Sequence, residues 1–232
     1  MDSINVILTV WKRDNLEKQL KAIENQTANI NDVYVYQNES HIDVDRFKDK
    51  YNFKHVHSKD MNFKFHGRFT LPLLFDTKYT AIFDDDTIPN KNWLNHCQQL
   101  CDKDNCIVGA NCRRQDGFGS GLCDGKFNDV PLEGDLVGHC WFFKTEWIHY
   151  MWREPAPTFD NGEDLHFSAA CKIHGGIRSY LAPQTPGDED SWGDTESVLG
   201  IDEHATWRRP DHNPIRAKLY EYWVDKGLEV AK

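Results

Sequence analysis

The sequence predicts an α/β fold with a mixed, mainly parallel central sheet and helices on both faces. Short continuous apolar runs alternate with segments of helical periodicity, which is the order of strands and helices in a parallel sheet. Residues 4–10, INVILTV, form the first apolar run, and residues 33–36 form the second after an intervening helical segment. A strand, a helix and a second strand in succession indicate a parallel crossover.

The first half of the chain continues this alternation. Leu16, Leu20 and Ile23 recur at helical spacing, and Asp14 is placed to cap the helix that they form. The other elements predicted for this half are a strand over 55–57, a helix over 65–75, a strand that ends at 83, a helix over 93–101 and a strand over 106–110.

The second half is less regular. Residues 111–134 are rich in Gly and Asp and have no clear period, so we expect a long loop or a loose hairpin there. Residues 184–200 form a second polar loop segment. The other predicted elements are a strand over 136–144, a helix over 146–152, a helix that begins near 163, a strand over 177–181 and an amphipathic helix over 215–224. We find no internal repeat and no linker, so residues 1–232 are expected to form a single domain.

Composition excludes several classes of partner. The net charge of −10 over 232 residues argues against nucleic acid, because a phosphate backbone needs a basic face. No apolar stretch is long enough to cross a bilayer, and the N-terminus lacks the pattern of a signal peptide. Seven cysteines without a CxxC pair indicate buried thiols rather than a zinc site. We therefore expect a soluble cytoplasmic protein.

Three consecutive carboxylates follow the strand that ends at residue 83. Asp84, Asp85 and Asp86 repel one another, so holding them together is costly unless a cation neutralises them. Oxygen ligands suit Mg²⁺ or Mn²⁺, which keep positions open for the oxygens of a phosphate. A solvated acidic turn is the alternative, but ligands of open α/β sheets bind where strands end.

Polar and aromatic residues follow the other strands at the same edge. Val10, Trp11 and Arg13 come after the first strand and Asn38 after the second, where they would meet a base, ribose and phosphate. Arg68 precedes the aspartate strand and could clamp a diphosphate with its two-pronged guanidinium. The alternatives are a structural cap on the sheet for Trp11 and an ordinary surface arginine for Arg68.

A second acidic pair, Glu163 and Asp164, stands at the predicted start of a helix, after Gly162. Carboxylates in a first turn often cap the helix and complement its dipole. The alternative is a general base within reach of an acceptor hydroxyl, and Asp164 is the residue predicted to face the cleft.

The late polar region holds weaker candidates. A loop there could bring His204, or less readily His212, over the metal. Asp190, Trp192 and Trp207 are residue types that grip sugar rings.

These motifs, in this order, resemble the GT-A family of nucleotide-sugar glycosyltransferases. The resemblance rests on INVILTVWKRDN, YVYQNES, HGRFTLPLLFDTKYTAIFDDDTIP with its DxD motif, and NGEDLHFS with its xED motif, over about residues 4–181. The block around Arg68 is also similar to exostosin-type enzymes, which retain configuration, and to small glycosyltransferases of large DNA viruses. The fold implied is the Rossmann-like GT-A fold, with a nucleotide-binding half over about 1–110 and an acceptor-binding half over about 111–232.

The resemblance implies a metal-dependent transfer of a sugar from a nucleoside-diphosphate sugar to a glycan or other hydroxyl acceptor. Asp86 would ligate Mn²⁺ or Mg²⁺, with Asp84 on the metal or the ribose and His204 as the late metal-binding histidine. Asp85 would complete the donor-binding motif as a mainly structural carboxylate. Arg68 would meet the phosphates.

The remaining roles concern the base and the acceptor. By the resemblance, Val10, Trp11, Arg13 and Asn38 would surround the base and ribose, and Asp164 would be the general base of an inverting reaction. Many relatives read uracil with an acidic residue after the second strand. This chain has Gln37 and Asn38 there, so a UDP-sugar is expected while the base stays open.

Two other classes remain possible. A sugar nucleotidyltransferase would also use a metal and an α/β sheet, but the segment TVWKRDN lacks its glycine-rich phosphate loop. A non-catalytic carbohydrate-binding protein could use the same acids for Ca²⁺ and the tryptophans for sugar.

Overall fold

A computed structural model of the chain describes residues 2–115, 119–121, 127–196 and 199–231. Its strands are β1 (Ile4–Val10), β2 (Ile30–Asn38), β3 (Lys54–Ser58), β4 (Tyr79–Phe83), β5 (Ile107–Gly109), β6 (Asn111–Arg113), β7 (Gly119–Gly121), β8 (Leu132–Gly134), β9 (Leu136–Gly138), β10 (Cys140–Lys144) and β11 (Ser179–Leu181). Eight of these form one sheet in the order β3-β2-β1-β4-β10-β5-β11-β8, and three form a small sheet in the order β7-β6-β9.

The large sheet is mixed but mainly parallel. Strands β3, β2, β1 and β4 pair in parallel, and β11 pairs in parallel with β5. Strand β10 is antiparallel to both of its neighbours, and β8 is antiparallel to β11. The predicted α/β class with a mixed, mainly parallel sheet is therefore confirmed.

The helices are α1 (Leu16–Glu24), α2 (Trp93–Asp104), α3 (Ile148–Met151), α4 (Glu163–Gly175) and α5 (His212–Asp225), joined by 3₁₀ segments at Asp45–Phe47, Gly67–Leu74, Thr145–Trp147, Glu189–Ser191 and Thr206–Arg208. As predicted, Leu16, Leu20 and Ile23 bury the apolar face of α1.

Both faces of the sheet are covered, as the side chains of β10 show. Alternate residues of a strand point to opposite faces. The indole nitrogen of Trp93 in α2 donates to Cys140 Sγ at 3.4 Å on one face. On the other face, the ring of Trp141 meets Phe69, and that of Phe143 meets Phe167 in α4. Strand β10 is therefore packed against other elements of the core on both of its faces.

Three local expectations are wrong for identifiable reasons. Residues 65–75 do not form an α-helix but include the 3₁₀ segment Gly67–Leu74, in which Pro72 lacks the N–H that an α-helix needs. The strand expected over 136–144 is split into β9 and β10 by His139, whose φ of 64° breaks the extended backbone. Asp14 does not cap α1: Asn15 precedes the helix without a side-chain cap, and Asp14 pairs with Arg46 instead.

The segment predicted as a long loop or a loose hairpin contains β6 and β7, which pair antiparallel as the strands of a hairpin do, and β8, which the sequence did not indicate. Strands β6, β7 and β8 lie within residues 111–134, although 116–118 and 122–126 fall outside the described residues. In the loop at 184–200 the structure has the 3₁₀ segment Glu189–Ser191, and residues 197–198 are not described. The loop interpretation there is confirmed only in part.

Two further features concern the chain as a whole. Within the ranges given above, no helix is both long and apolar enough to cross a membrane. The six described cysteines are buried, as predicted for thiols in a core, and Cys123 lies outside the described residues.

Candidate functional site

A cavity of about 1060 Å³ opens where β1, β2 and β4 end. These strands are parallel neighbours, so their carboxyl ends meet at one edge of the sheet. The predicted site residues that line the cavity are Val10, Trp11, Arg13, Asn38, Arg68, Asp84, Asp85, Asp86, Asp164 and His204. The structure therefore brings both acidic motifs to one cavity of a size that suits a nucleotide sugar.

Arg68 bridges the two acidic motifs. Its Nη1 pairs with Asp84 Oδ1, and its Nη2 donates to Glu163 Oε1 at 2.8 Å. The guanidinium carbon also lies 4.6 Å from the ring centroid of Trp141, a cation–π distance. Arg68 is only 5% exposed, so it is not the surface arginine considered as an alternative. Its two terminal nitrogens are occupied by carboxylates, and contact with a phosphate remains a prediction.

Burial makes this bridge electrostatically demanding. Burial, reinforced by the charge of Asp164, raises the pKa of Glu163 to about 7 although Arg68 favours its charged form. Burial likewise raises the pKa of Asp84, against the pull of Arg68. A single guanidinium thus holds together two carboxylates that would otherwise take up protons.

Arg13 holds the other two aspartates of the motif. Its Nη1 lies 2.6 Å from Asp85 Oδ1 and 3.0 Å from Asp86 Oδ2. Its Nε and Nη2 donate to the two carboxylate oxygens of Asp202, at 2.6 and 2.8 Å. Burial raises the pKa of Asp85 to about 7, and the charge of Asp86 adds to that shift while Arg13 opposes it. Arg13 therefore joins the end of β1, the aspartate turn and the segment that follows residue 199.

The backbone of the aspartate turn is fixed from α1. Gln19 Nε2 donates to the carbonyl oxygens of Asp84 and Thr87, at 2.6 and 3.1 Å, and Asn15 Nδ2 donates to that of Asp85 at 3.0 Å. Gln19 is buried, so these bonds are shielded from water. The turn is consequently held in one shape before any ligand binds.

Gly200 lets the segment after residue 199 pack directly against the aspartate turn. A Cβ atom at Gly200 would lie 2.4 Å from Asp86 Oδ2, closer than real contacts allow. Glycine is therefore required if Asp86 is to keep its position while residues 199–205 pack over the cavity.

The carboxylates fit a hard divalent cation, but not as a complete protein cage. Among the described residues, no three His, Cys, Asp or Glu side chains are close enough to hold a metal ion. The nearest arginine contacts fall on Oδ1 of Asp84 and Oδ2 of Asp86, which leaves a cation the second oxygen of Asp84 and Oδ1 of Asp86, where the hydroxyl of Thr87 also donates at 3.5 Å. Mg²⁺-type ions are commonly bound by one or two carboxylates together with substrate phosphates. The donor set matches that pattern.

His204 lies beside Trp11 rather than among the aspartates in this structure, and its role as a metal ligand stays a prediction. Its backbone N–H donates to Asp202 Oδ1 at 2.9 Å, and its ring packs edge-on against Trp11 with centroids 6.1 Å apart. Because Asp202 is itself held by Arg13, this turn places the imidazole beside the indole rather than among the carboxylates.

At the end of β2, the predicted amides are engaged by the protein itself. Asn38 Nδ2 donates to the Lys64 carbonyl at 3.0 Å, and its Oδ1 accepts from Phe63 N at 3.1 Å. Gln37 does not line the cavity; it is buried, and its side chain bonds Ile42 and His55. The amides thus shape the wall of the cavity.

An acidic residue does follow β2: it is Glu39, one position after the Gln37 and Asn38 named in the sequence analysis. Glu39 has a φ of 57°, unusual for a residue other than glycine, and its Oε2 accepts from Trp11 Nε1 at 2.8 Å and Asn62 Nδ2 at 2.9 Å. It is not among the residues that line the cavity; instead it orients the indole that does. Its place directly after Asn38 was the signal that could have identified it.

Neither carboxylate of the second acidic motif occupies the cap position of α4, although Asp164 Oδ1 accepts from the first-turn backbone N–H of Leu165 at 2.7 Å. The residue before the helix is Gly162, with φ of 87° and no side-chain cap. Asp164 receives both terminal nitrogens of Arg216 from α5, at 2.8 and 3.0 Å, while Glu163 is bound to Arg68. Both carboxylates line the cavity, and the role of Asp164 as the base stays a prediction.

The remaining candidates of the late polar region divide into residues that line the cavity and residues that lie outside it. His212 and Trp207 line the cavity, and Trp207 is 59% exposed there. Asp190 and Trp192 do not line it: Asp190 pairs with Lys91, and Trp192 Nε1 donates to the Thr185 carbonyl at 3.1 Å. Of the three residues considered for gripping a sugar, only Trp207 is therefore placed to do so.

Sequence reasoning missed His139 in the cavity wall and the buried Asp194 with which it pairs. His139 Nδ1 lies 3.2 Å from Asp194 Oδ2, and the His139 carbonyl accepts from the Asp84 backbone N–H at 3.0 Å. Burial disfavours the charged ring, but the hydrogen bond to Asp194 and the charge of Asp86 outweigh it and raise the pKa of His139 to about 9. A polar residue between two apolar strand segments was the signal in the sequence.

Comparisons with known proteins concern the fold. Two solved structures of S. aureus TarS, one of them of residues 1–349, match this chain at 13% sequence identity with TM-scores of 0.55 and 0.56. TarS is a glycosyltransferase. This chain therefore shares its fold with TarS. The matches cover 97% of this chain, and 43% and 71% of the two TarS chains, so it spans less than half of the first. No protein-family model matches the sequence, and no curated protein matches it either.

Proposed function

We propose that this protein is a metal-dependent glycosyltransferase of the GT-A type. It would transfer a hexose from a nucleoside-diphosphate sugar, with UDP as the expected nucleotide, to a hydroxyl group of a glycan or similar acceptor. The observation that carries this proposal is the Arg68 bridge, which ties Asp84 of the first acidic motif to Glu163 of the second within one cavity. The likeness of the fold to that of a glycosyltransferase supports it.

The donor would lie across the carboxyl ends of β1, β2 and β4. Trp11 offers a ring on which a base can stack, and Glu39 holds that ring by its indole nitrogen. The aspartate turn below it is held by Gln19 and Arg13, so binding would need little rearrangement of these carboxylates. Asp84 and Asp86 would hold Mn²⁺ or Mg²⁺ beside the diphosphate. When bound, that ion supplies Lewis-acid stabilisation of the charge that grows on the leaving diphosphate.

Asp164 would act as the general base on the acceptor side of the cavity. It would accept the proton of the acceptor hydroxyl while the acceptor oxygen bonds to the anomeric carbon of the sugar. The bond from that carbon to the diphosphate breaks at the same time, and its electron pair leaves with the diphosphate. Attack from the face opposite the leaving group gives inversion of configuration. His139, next to the aspartate turn, adds positive charge near the leaving group.

Calorimetric titration tests the donor half of the proposal. UDP is titrated into the wild type in the presence of Mn²⁺, in its absence, and into Asp86→Ala with Mn²⁺. We expect Mn²⁺-dependent binding that the Asp86→Ala substitution weakens by at least about tenfold, since it removes one of two carboxylate ligands. Asp190→Ala, at a carboxylate outside the cavity, serves as the control and should bind like the wild type.

The outcomes separate the candidate classes. Binding of free monosaccharides with Ca²⁺ but no binding of UDP would contradict the proposal and indicate a carbohydrate-binding protein. UDP binding that is equal with and without Mn²⁺ would contradict the assignment of Asp84 and Asp86 to a metal.

A further inference from the structure

The carboxylate of Asp164 receives three hydrogen bonds, and they are distributed unequally. Arg216 Nη1 donates to Oδ1 at 2.8 Å, and the backbone N–H of Leu165 donates to the same oxygen at 2.7 Å. Oδ2 accepts from Arg216 Nη2 at 3.0 Å and, among the described residues, from no other donor. A carboxylate oxygen has two lone pairs, so Oδ2 keeps one available and Oδ1 keeps none.

Arg216 is held firmly enough to fix this geometry. It lies on α5, which packs on α4 through an apolar cluster that contains Leu165, Leu219 and Trp223. A Cβ atom at Gly162 would lie 2.7 Å from Leu219 Cδ2, so the glycine before Asp164 allows the close approach of the two helices. Arg216 therefore projects from a helix, α5, that is packed against the helix that carries Asp164.

We propose that Arg216 is the positioning residue that turns Asp164 so that its Oδ2 takes the proton in the transfer reaction. This inference rests on the proposed function. In the step, the O–H bond of the acceptor breaks, its proton goes to Oδ2 of Asp164, and its oxygen bonds to the anomeric carbon. The bond from the anomeric carbon to the diphosphate breaks at the same time, and its electron pair leaves with the diphosphate.

The two-pronged contact is what makes arginine suitable for this role. Two parallel N–H groups hold both carboxylate oxygens in one plane, whereas the ammonium group of lysine offers only a point charge. Without the fork, the carboxylate of Asp164 can rotate about χ2, a torsion with a broad energy profile. Misplacement of a reacting group by about 1 Å can lower a rate on the order of 100-fold.

The test uses water as the acceptor, because the natural acceptor is unidentified. Release of UDP from UDP-glucose, UDP-galactose and UDP-N-acetylglucosamine is measured with Mn²⁺ for the wild type, Arg216→Ala, Arg216→Lys and Lys218→Ala. Lys218 is an exposed residue on the same helix and does not line the cavity, so Lys218→Ala controls for changes in the helix itself. Binding of UDP is titrated in parallel for each protein.

We expect Arg216→Ala to lower kcat for UDP release by about 30- to 100-fold while the affinity for UDP changes less than about twofold, since the substitution acts on orientation of the base. Arg216→Lys should lie between the wild type and Arg216→Ala. Guanidinium ion at low millimolar concentration should restore part of the kcat of Arg216→Ala, an effect that a purely structural role would not produce. Lys218→Ala should match the wild type.

Three results would overturn the inference. One is an unchanged kcat in Arg216→Ala. Another is a fall in UDP affinity as large as the fall in kcat. If Arg216→Ala does not fold, a kcat of Arg216→Lys equal to that of the wild type would show that charge alone suffices. A wild type that neither binds UDP nor releases it from these donors contradicts the proposed function itself, and is thereby distinguished from failure of the positioning role.

Discussion

Replacement of Arg68 by methionine tests the bridge between the two acidic motifs. Met fills a similar volume without a charge, so the substitution leaves Asp84 and Glu163 without their shared cation. Loss of one partner of a buried ion pair usually costs about 3–5 kcal/mol. Asp84 is partly exposed, which favours the lower end, so we expect a loss of about 3 kcal/mol in unfolding free energy at about pH 8. For a chain of 232 residues this corresponds to a Tm lower by roughly 6–12 °C.

The cost of this substitution should depend on pH in a defined direction. The pKa of Glu163 is about 7 even with Arg68 in place, so removal of the arginine leaves the carboxyl group protonated in the folded variant at about pH 5.5. A neutral carboxyl group needs no counter-charge, and the loss should fall to about 1–2 kcal/mol from hydrogen bonds and the cation–π contact with Trp141. The destabilisation therefore grows as pH rises through the folded pKa of Glu163.

Urea unfolding of the wild type and Arg68→Met at the two pH values measures the effect. Arg178→Met is a matched control, because Arg178 is exposed and pairs with Glu133 at the surface, and it should leave the urea midpoint close to that of the wild type at either pH. The double variant Arg68→Met, Glu163→Leu should recover part of the loss at high pH, since it removes the uncompensated charge. Equal destabilisation at both pH values, or a loss below about 1 kcal/mol at high pH, would refute the electrostatic account of the bridge.

Two further predictions concern the cavity wall and a buried histidine. Gly200→Ala should weaken Mn²⁺-dependent UDP binding by about tenfold with little change in Tm, because the added methyl group displaces the carboxylate of Asp86. Gly138→Ala, where a Cβ meets nothing within 4 Å, is the control. Equal binding by both variants would contradict the prediction. Burial, with the neighbouring His166 and Arg68, lowers the pKa of His66 to about 4 from 6.5, so its contribution to stability is present above pH 6.5 and lost as pH falls through 4. His66→Leu should therefore gain about 2 kcal/mol relative to the wild type between about pH 7 and pH 4.5 in urea unfolding, and parallel curves for the two proteins would contradict the shift.

The elements that the sequence predicted best are those in which one local signal dominates. Strand β1 matches its predicted bounds, Ile4–Val10, because an uninterrupted apolar run admits one explanation in an α/β chain. The aspartates lie at the end of β4, as expected, since three carboxylates cannot continue a buried strand. Position along the chain also sufficed to place Trp11, Arg13 and Asn38 at the same edge, because parallel strands share that edge.

What the sequence could not show depends on partners far apart in the chain. Nothing local to Arg68 indicates that Glu163, 95 positions away, binds its second nitrogen. Arg216 pairs with Asp164 across 52 positions, and Asp202 meets Arg13 across 189. Such pairings arise from the packing of helices on the sheet, so residue type and spacing predict the chemistry of the site but not which cation meets which carboxylate. Strand β8 was missed for a different reason, because three residues are too few to show a period.

The most direct test of the central claim is a paired measurement on Asp164→Asn. UDP affinity in the presence of Mn²⁺ and the rate of UDP release from a nucleotide sugar are determined side by side for this variant and the wild type. If one cavity combines a donor site at the aspartate turn with a base at the start of α4, the variant should bind UDP within about twofold of the wild type and lose at least about 100-fold in rate, the scale of general base catalysis. Wild-type release of UDP by Asp164→Asn would contradict that account.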